Sequence, residues 1–232
     1  MMIQTNFLRK LLQSNSDPVN FSELTTETGI NSSEITSYLQ ELQRLGLVHS
    51  TKNRIFISPY QKVQLALLAI RYGLDIEDVS QALDWREFED IAIKILTHNG
   101  FCSLKHYRFK RQNRRHEIDV LSFKNPLILA IECKHWKHSW QNAVIKRIVD
   151  KQLERGTALS QLWQSKSKLP HPLMLPSHKH LTILPLILTL HLAPFKSYNN
   201  VPIIPIFYFQ NFLSAELYIQ LPNFRTYDMF TN

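Results

Sequence analysis

The run Leu127-Ile128-Leu129-Ala130-Ile131-Glu132-Cys133-Lys134 restricts this chain more than any other stretch. Unbroken apolar residues after the turn signal Asn125-Pro126 read as a central strand buried on both faces. Side chains alternate along a strand, so Glu132 and Lys134 share one face and Ile131 and Cys133 the other. Charges at the end of such a strand are costly unless they are paired or put to use.

A second strand, Glu117 to Phe123, lies just upstream. If Phe123 pairs with Ile128, Asp119 stands opposite Glu132 on the same face, roughly 5 Å away at Cβ. A slip of one residue would separate them. Two carboxylates about 4 Å apart repel by roughly 4 kcal/mol at an intermediate dielectric, and a divalent cation removes that cost. Magnesium suits such hard oxygen donors, keeping waters and taking phosphate oxygens. A bound ion of this kind acidifies water and steadies charge on a phosphodiester, with Lys134 orienting the water or sharing that charge.

The rest of the chain supplies a setting. Residues 1–58 form one unit. Its first helix is marked by Phe7, Leu8, Leu11 and Leu12 and broken at Asp17-Pro18. A short helix from Phe21 to Thr28 follows. A third starts at Asn31, with Glu34 at the reciprocal capping position and Ile35, Leu39, Leu42 and Leu45 as its apolar stripe. Gly46 turns the chain into strands Leu47 to His49 and Arg54 to Ile57. Three helices and a hairpin resemble a winged helix, whose third helix would present Ser32, Ser33, Thr36, Gln40, Gln43 and Arg44 to DNA or to a protein. Residues 59–83 read as a helical connector, with Val63, Leu67 and Ile70 on one side and a short helix from Ile76 to Leu83.

The second unit, 84–232, opens with an amphipathic helix carrying Phe88, Ile91, Ala92, Ile95 and Leu96 and ending at Asn99-Gly100. Strands follow over Phe101 to Phe109, Glu117 to Phe123 and Leu127 to His135. Next come a helix from Asn142 to Leu159, with Gly156 as an alternative early end, and a polar loop from Gln164 to Lys179. Strands Leu181 to Leu190 and Val201 to Phe209 and a helix or turn from Asn211 to Leu217 complete the unit. This order predicts an α/β fold, a mixed sheet flanked by helices.

Asp119, twelve intervening residues and Glu132-x-Lys134 resemble the motif of the PD-(D/E)xK nucleases, with Ile118 where the motif has proline. The segment Trp85-Arg86-Glu87-Phe88-Glu89-Asp90 resembles the first helix of Mrr-type restriction endonucleases and archaeal Holliday-junction resolvases. The likeness covers roughly Trp85 to Ser160. It implies a restriction-endonuclease-like fold and Mg²⁺-dependent hydrolysis of DNA, with Mn²⁺ as a substitute, in restriction, repair or recombination. It further implies a catalytic set of Asp119, Glu132, Lys134 and Glu89, the three acids holding the metal and Glu87 standing second to Glu89. Gln152 matches a polar helix residue near the site in relatives, although its own surroundings read as a solvated surface. Relatives that cut two strands are commonly homodimers. The rival reading is a catalytically inactive DNA-binding regulatory or accessory protein on the same fold.

Composition agrees with a polyanionic partner: Lys plus Arg number 27 against 19 acids, a net +8. The segment from Lys105 to Arg115 carries Lys105, Arg108, Lys110, Arg111, Arg114 and Arg115 without an acid, interleaved with Tyr107 and Phe109. As a hairpin beside the acidic site it would contact DNA phosphates. Lys137, Lys146, Arg147 and Lys151 follow the motif. His116, His135 and His138 flank it as edge or phosphate-contacting residues, and Trp136 and Trp140 read as packing. Cys102 and Cys133 form no zinc-type pair and read as buried reduced thiols. No phosphate-binding glycine loop and no Gly-x-Ser-x-Gly elbow occurs. The N-terminal residues lack a signal-peptide pattern, and the apolar run Leu181 to Phe195 is interrupted by Pro185, His191 and Pro194. The expectation is a cytoplasmic protein without a membrane partner.

Overall fold

The computed structural model describes residues 2–14, 18–75, 78–79, 82–83, 85–134, 141–165 and 180–230. The chain divides into two compact units, Met1–Ile91 and Ala92–Asn232. Among the described residues no helix is long and apolar enough to cross a membrane. Of the short helix expected from Ile76 to Leu83 only residues 78–79, which are helical, and 82–83 are described, and most of the polar loop after Gln164 lies outside the described residues.

In the first unit, helical spacing buries Phe7, Leu8, Leu11 and Leu12 along α1 (Met2–Gln13). Strand β1 (Val19–Asn20) leads into α2 (Phe21–Thr28), and Asn31 caps α3 (Ser32–Arg44) by accepting the Ser33 N–H at 3.1 Å. That bond reaches the adjacent turn residue, and the reciprocal box expected with Glu34 does not form. A complete box instead opens α4 (Pro59–Arg71), where Ser58 and Gln61 exchange bonds. Gly46 at φ 71 turns the chain after α3, with Leu47 N–H on the Leu42 carbonyl at 2.9 Å. The turn removes Leu45 from the apolar stripe and leaves it 53% exposed. On α4 the buried face is Val63, Leu65, Ala66 and Ala69, while Leu67 and Ile70 are half-buried. That helix is apolar nearly all round, so spacing alone does not choose its face. Strands β2 (His49–Ser50) and β3 (Arg54–Phe56) complete a three-stranded sheet in the order β1-β3-β2.

Helix α5 (Trp85–His98) spans the division between the units. Gly100 at φ 80 ends it, and the Phe101 N–H bonds the Leu96 carbonyl at 2.9 Å. Strands β4 (Cys102–Arg111) and β5 (Arg114–Lys124) form a hairpin through Gln112 and Asn113, both at positive φ (47 and 63). Such a two-residue turn matches the natural twist of the strands it joins. Strand β6 (Leu127–Lys134) pairs antiparallel with β5 in the expected register, Phe123 against Ile128. Helix α6 (Asn142–Ser165) then carries the chain to β7 (His180–Thr189), which runs parallel to β6.

The outer edge of β7 is shared. Strand β9 (Val201–Pro205), itself paired with β8 (Ser197–Tyr198), takes Ile187 to Thr189, and β10 (Tyr227–Phe230) takes His180 to Ile183. The gap between them accommodates Pro185. Thr182 and Leu190 donate to carbonyls on the β6 side, at Pro126 and Lys134. Even-numbered residues of β7 thus face β6, and Pro185 faces the outer edge where neither β9 nor β10 pairs, so its missing N–H breaks no ladder. The second unit is a mixed seven-stranded sheet, ordered β4-β5-β6-β7-β9-β8 with β10 also on β7.

Two expectations change here. The segment read as one strand from Val201 to Phe209 leaves the sheet at Pro205 and becomes α7 (Ile206–Phe212), followed by α8 (Ala215–Gln220). Its aromatics favour strands, but Ile206 and Phe209 lie one helical turn apart and are both buried. Gly156 does not end α6, which continues through Ala158, Leu159 and Trp163 onto the sheet core with Ile128, Ala130, Leu181 and Met229. A glycine is needed there because the Tyr227 ring lies on the helix: a Cβ at 156 would sit 2.6 Å from Cε2. Gly156→Ala is therefore expected to destabilise the fold by about 1–3 kcal/mol through overpacking. A urea titration checks this, and an unchanged midpoint would show that Tyr227 simply swings aside.

Candidate active site in the second unit

The site lies where β5 and β6 part. Their pairing runs from Lys124 against Leu127 up to Val120 against Ile131 and stops. Beyond it β5 pairs only with β4, down to Arg111 against Arg114, while β6 stays with β7 through Lys134 against Thr189. One further step would set Asp119 opposite Glu132. At that step a side chain replaces the backbone ladder, because Asp119 Oδ2 accepts the Cys133 N–H at 2.8 Å.

Glu132 is 4% exposed and carries a cation on each oxygen, Lys134 Nζ on Oε1 and Arg155 Nη1 on Oε2. A buried carboxylate is tolerable only with such compensation. The motif identified Lys134, but sequence reasoning missed Arg155. Gln152 is fully buried rather than solvated. Its Nε2 bonds the carbonyls of Ala130 at 2.6 Å and Leu186 at 3.3 Å, and its Oε1 accepts from Arg155 Nη1 at 3.3 Å. The signal for both was present: Gln152 falls four residues after buried Ile148 and four before Gly156, on the inward stripe of α6. An amide on that stripe needs partners on the sheet, and a cation three residues on shares its direction.

Asp119 and Glu132 are thus neighbouring-strand carboxylates of the donor type a hard cation takes. Mg²⁺ commonly takes one or two protein carboxylates and keeps several waters, so Asp119 and Glu132 fit it as a donor pair. Among the described residues no three or more His, Cys, Asp or Glu side chains gather as a metal site. Glu89 is 9% exposed and belongs to the first unit, on α5. The Glu87 side chain lies outside the described residues, as do His135, Trp136, Lys137, His138 and Trp140.

The basic segment is the β4–β5 hairpin. Lys105, Arg108, Lys110, Arg114 and Arg115 are exposed and Arg111 is half-buried. Arg108 binds Glu117 at 3.0 Å and Arg114 binds Glu154 of α6 at 2.9 Å. The Arg108 guanidinium holds the Glu117 carboxyl below the usual carboxylate range. The stabilisation this pair gives is thus present above the unfolded carboxyl pKa and fades as pH falls through the lower folded one, and solvent screening keeps it small. His116 stacks on Phe109 with centroids 5.1 Å apart, and Tyr107 also stacks on Phe109. Burial raises the Tyr107 hydroxyl pKa. Cys133 is buried as expected, whereas Cys102, at the start of edge strand β4, is exposed, and the two are not joined in a disulfide.

A cleft of about 450 Å³ lies between the first residues of β5 and helix α6. Arg114, Arg115, Lys151 and Arg155 line it together with Glu117 and Glu154. Through Arg155 the cleft adjoins the buried Glu132.

Residues 80–161 match the family model described as a restriction endonuclease, Mrr_cat, in keeping with the PD-(D/E)xK superfamily and the restriction-endonuclease-like sheet described above. No curated protein matches the chain. Among solved structures, protein VC1899 from Vibrio cholerae is similar at 12% identity and a TM-score of 0.33, over 94% of this chain. This chain spans 50% of that protein's length.

Proposed function

We propose, from the restriction-endonuclease domain at residues 80–161, that this protein is a metal-dependent deoxyribonuclease hydrolysing phosphodiester bonds in DNA restriction, repair or recombination. The observation that supports the reading is the Asp119 carboxylate on the Cys133 N–H where β5 and β6 part, beside buried Glu132 with Lys134 on it. Asp119 and Glu132 would hold Mg²⁺, or Mn²⁺ in its place. Such an ion, when bound, acidifies water and neutralises charge on the phosphodiester. Lys134, 32% exposed, has access both to Glu132 and to solvent, as a group that orients water or steadies phosphoryl oxygens must. The exposed cations of the β4–β5 hairpin serve as phosphate contacts. The first unit, read as a winged helix with α3 outward, would add contacts to DNA or to a protein, and a homodimer would allow both strands to be cut.

A second reading, a DNA-binding accessory protein that does not cut, draws on one observation: both Glu132 oxygens already carry cations. The full chain incubated with Mg²⁺ and labelled duplex, single-stranded, branched and modified DNA separates the two. Cleavage that chelation abolishes is the expected outcome. Binding to these DNAs without cleavage of any would support the accessory protein instead.

A further inference from the structure

Arg155 faces two claims on its guanidinium. Nη1 bonds Glu132 Oε2 and, at 3.3 Å, Gln152 Oε1, and among the described residues the guanidinium makes no other hydrogen bond. A guanidinium has five donors in a fixed fork, so most of its capacity is left over. The side chain is 20% exposed and lines the 450 Å³ cleft. Within that cleft the acids are already matched, Glu154 by Arg114 and Glu117 by Arg108 and His106. Arg115 and Lys151 have no ion pair among the described residues. The cleft thus presents two such cations and the Arg155 fork, a setting for a phosphodiester.

The other claim comes from the carboxylate. Glu132 has one cation on each oxygen, so a divalent ion can take it as a ligand only after a partner withdraws. Arg155 is the partner that lines this cleft, where an incoming phosphate would offer it a second anion. We infer that Arg155 couples the two events: a DNA phosphate seated against Arg115 and Lys151 draws the guanidinium away from Glu132, and the carboxylate then becomes available to the metal. Arg155 is a positioning residue in this scheme, which rests on the metal-dependent reading above. It keeps the ion weakly held until substrate is in place.

Coupling between two ligands is reciprocal and measurable as binding. The probe is Ca²⁺, which takes the same hard oxygen donors, titrated calorimetrically into the full chain with and without a short DNA duplex. For the wild type, DNA should tighten Ca²⁺ binding about tenfold, and Ca²⁺ should tighten DNA binding by the same factor. Arg155→Ala should bind Ca²⁺ alone about tenfold more tightly than the wild type and lose most of the DNA-dependent gain. Arg155→Gln, which retains a donor for Glu132 without the charge, gives the same comparison if the alanine variant does not fold. A folded variant that binds Ca²⁺ no more tightly than the wild type, with the gain intact, overturns the coupling and leaves the nuclease standing. A wild type that binds no Ca²⁺ with or without DNA and cuts nothing in Mg²⁺ removes both.

Discussion

Asp119→Ala should bind DNA as well as the wild type and cut it at least about a thousandfold more slowly, a barrier increase of roughly 4 kcal/mol. On the proposed reading the change takes away one of the two carboxylates that would hold the cation, and with it the ion's grip on water and phosphate. It also removes an anion from beside a polyanionic substrate, so affinity should hold or improve. One structural effect must be separated out. Asp119 accepts the Cys133 N–H where the strands part, and losing that bond costs about 1 kcal/mol. Asp119→Asn keeps a side-chain oxygen for Cys133 but not the charge, so it should fold like the wild type and still fail to cut. Wild-type cleavage rates in the asparagine variant, from single-turnover assays in Mg²⁺, would rule Asp119 out as a metal ligand.

The largest expected effect on stability comes from Glu132→Ala. Glu132 is 4% exposed and is the shared partner of Lys134 and Arg155. Its removal leaves two cations near the end of a buried strand facing one another, the situation in which breaking a buried pair costs about 3–5 kcal/mol. For a domain of this size that is a fall in Tm of roughly 6–20 °C. Adding Arg155→Met to Glu132→Ala should restore part of the loss, since the second change removes one uncompensated charge. An unaltered melting curve for Glu132→Ala would mean that the ion pairs contribute nothing to the folded state.

How much of this could be read beforehand depended on range. The buried strand Leu127 to Lys134, its pairing with β5 and the helix before β4 follow from local patterns: alternation, an Asn-Pro turn and a glycine stop. The basic hairpin is local too, although its strands run on to Arg111 and from Arg114 rather than stopping at Phe109 and resuming at Glu117. Local spacing places Arg155 on the inward side of α6 but does not say what it meets, because its partner Glu132 lies across the sheet, 23 residues upstream. Gln152 was misjudged for a similar reason. A polar side chain on an apolar stripe looks solvated until the carbonyls of β6 and β7 are known to lie beneath it. The segment after Pro205 failed differently, because its aromatic residues suit strand and helix alike and only its packing decides between them.

The position of β10 bears on when the molecule becomes competent. Residues 227–230 close the outer edge of β7, and Tyr227 reaches back to α6, its hydroxyl on the Leu153 carbonyl at 2.9 Å and its ring over Gly156. Leu153 and Gly156 bracket Arg155 on the same helix. During synthesis the helix bearing Arg155 and Gln152 lacks this buttress until the ribosome has delivered those late residues, so a nascent chain halted short of them has its acids assembled in sequence but not yet braced in space.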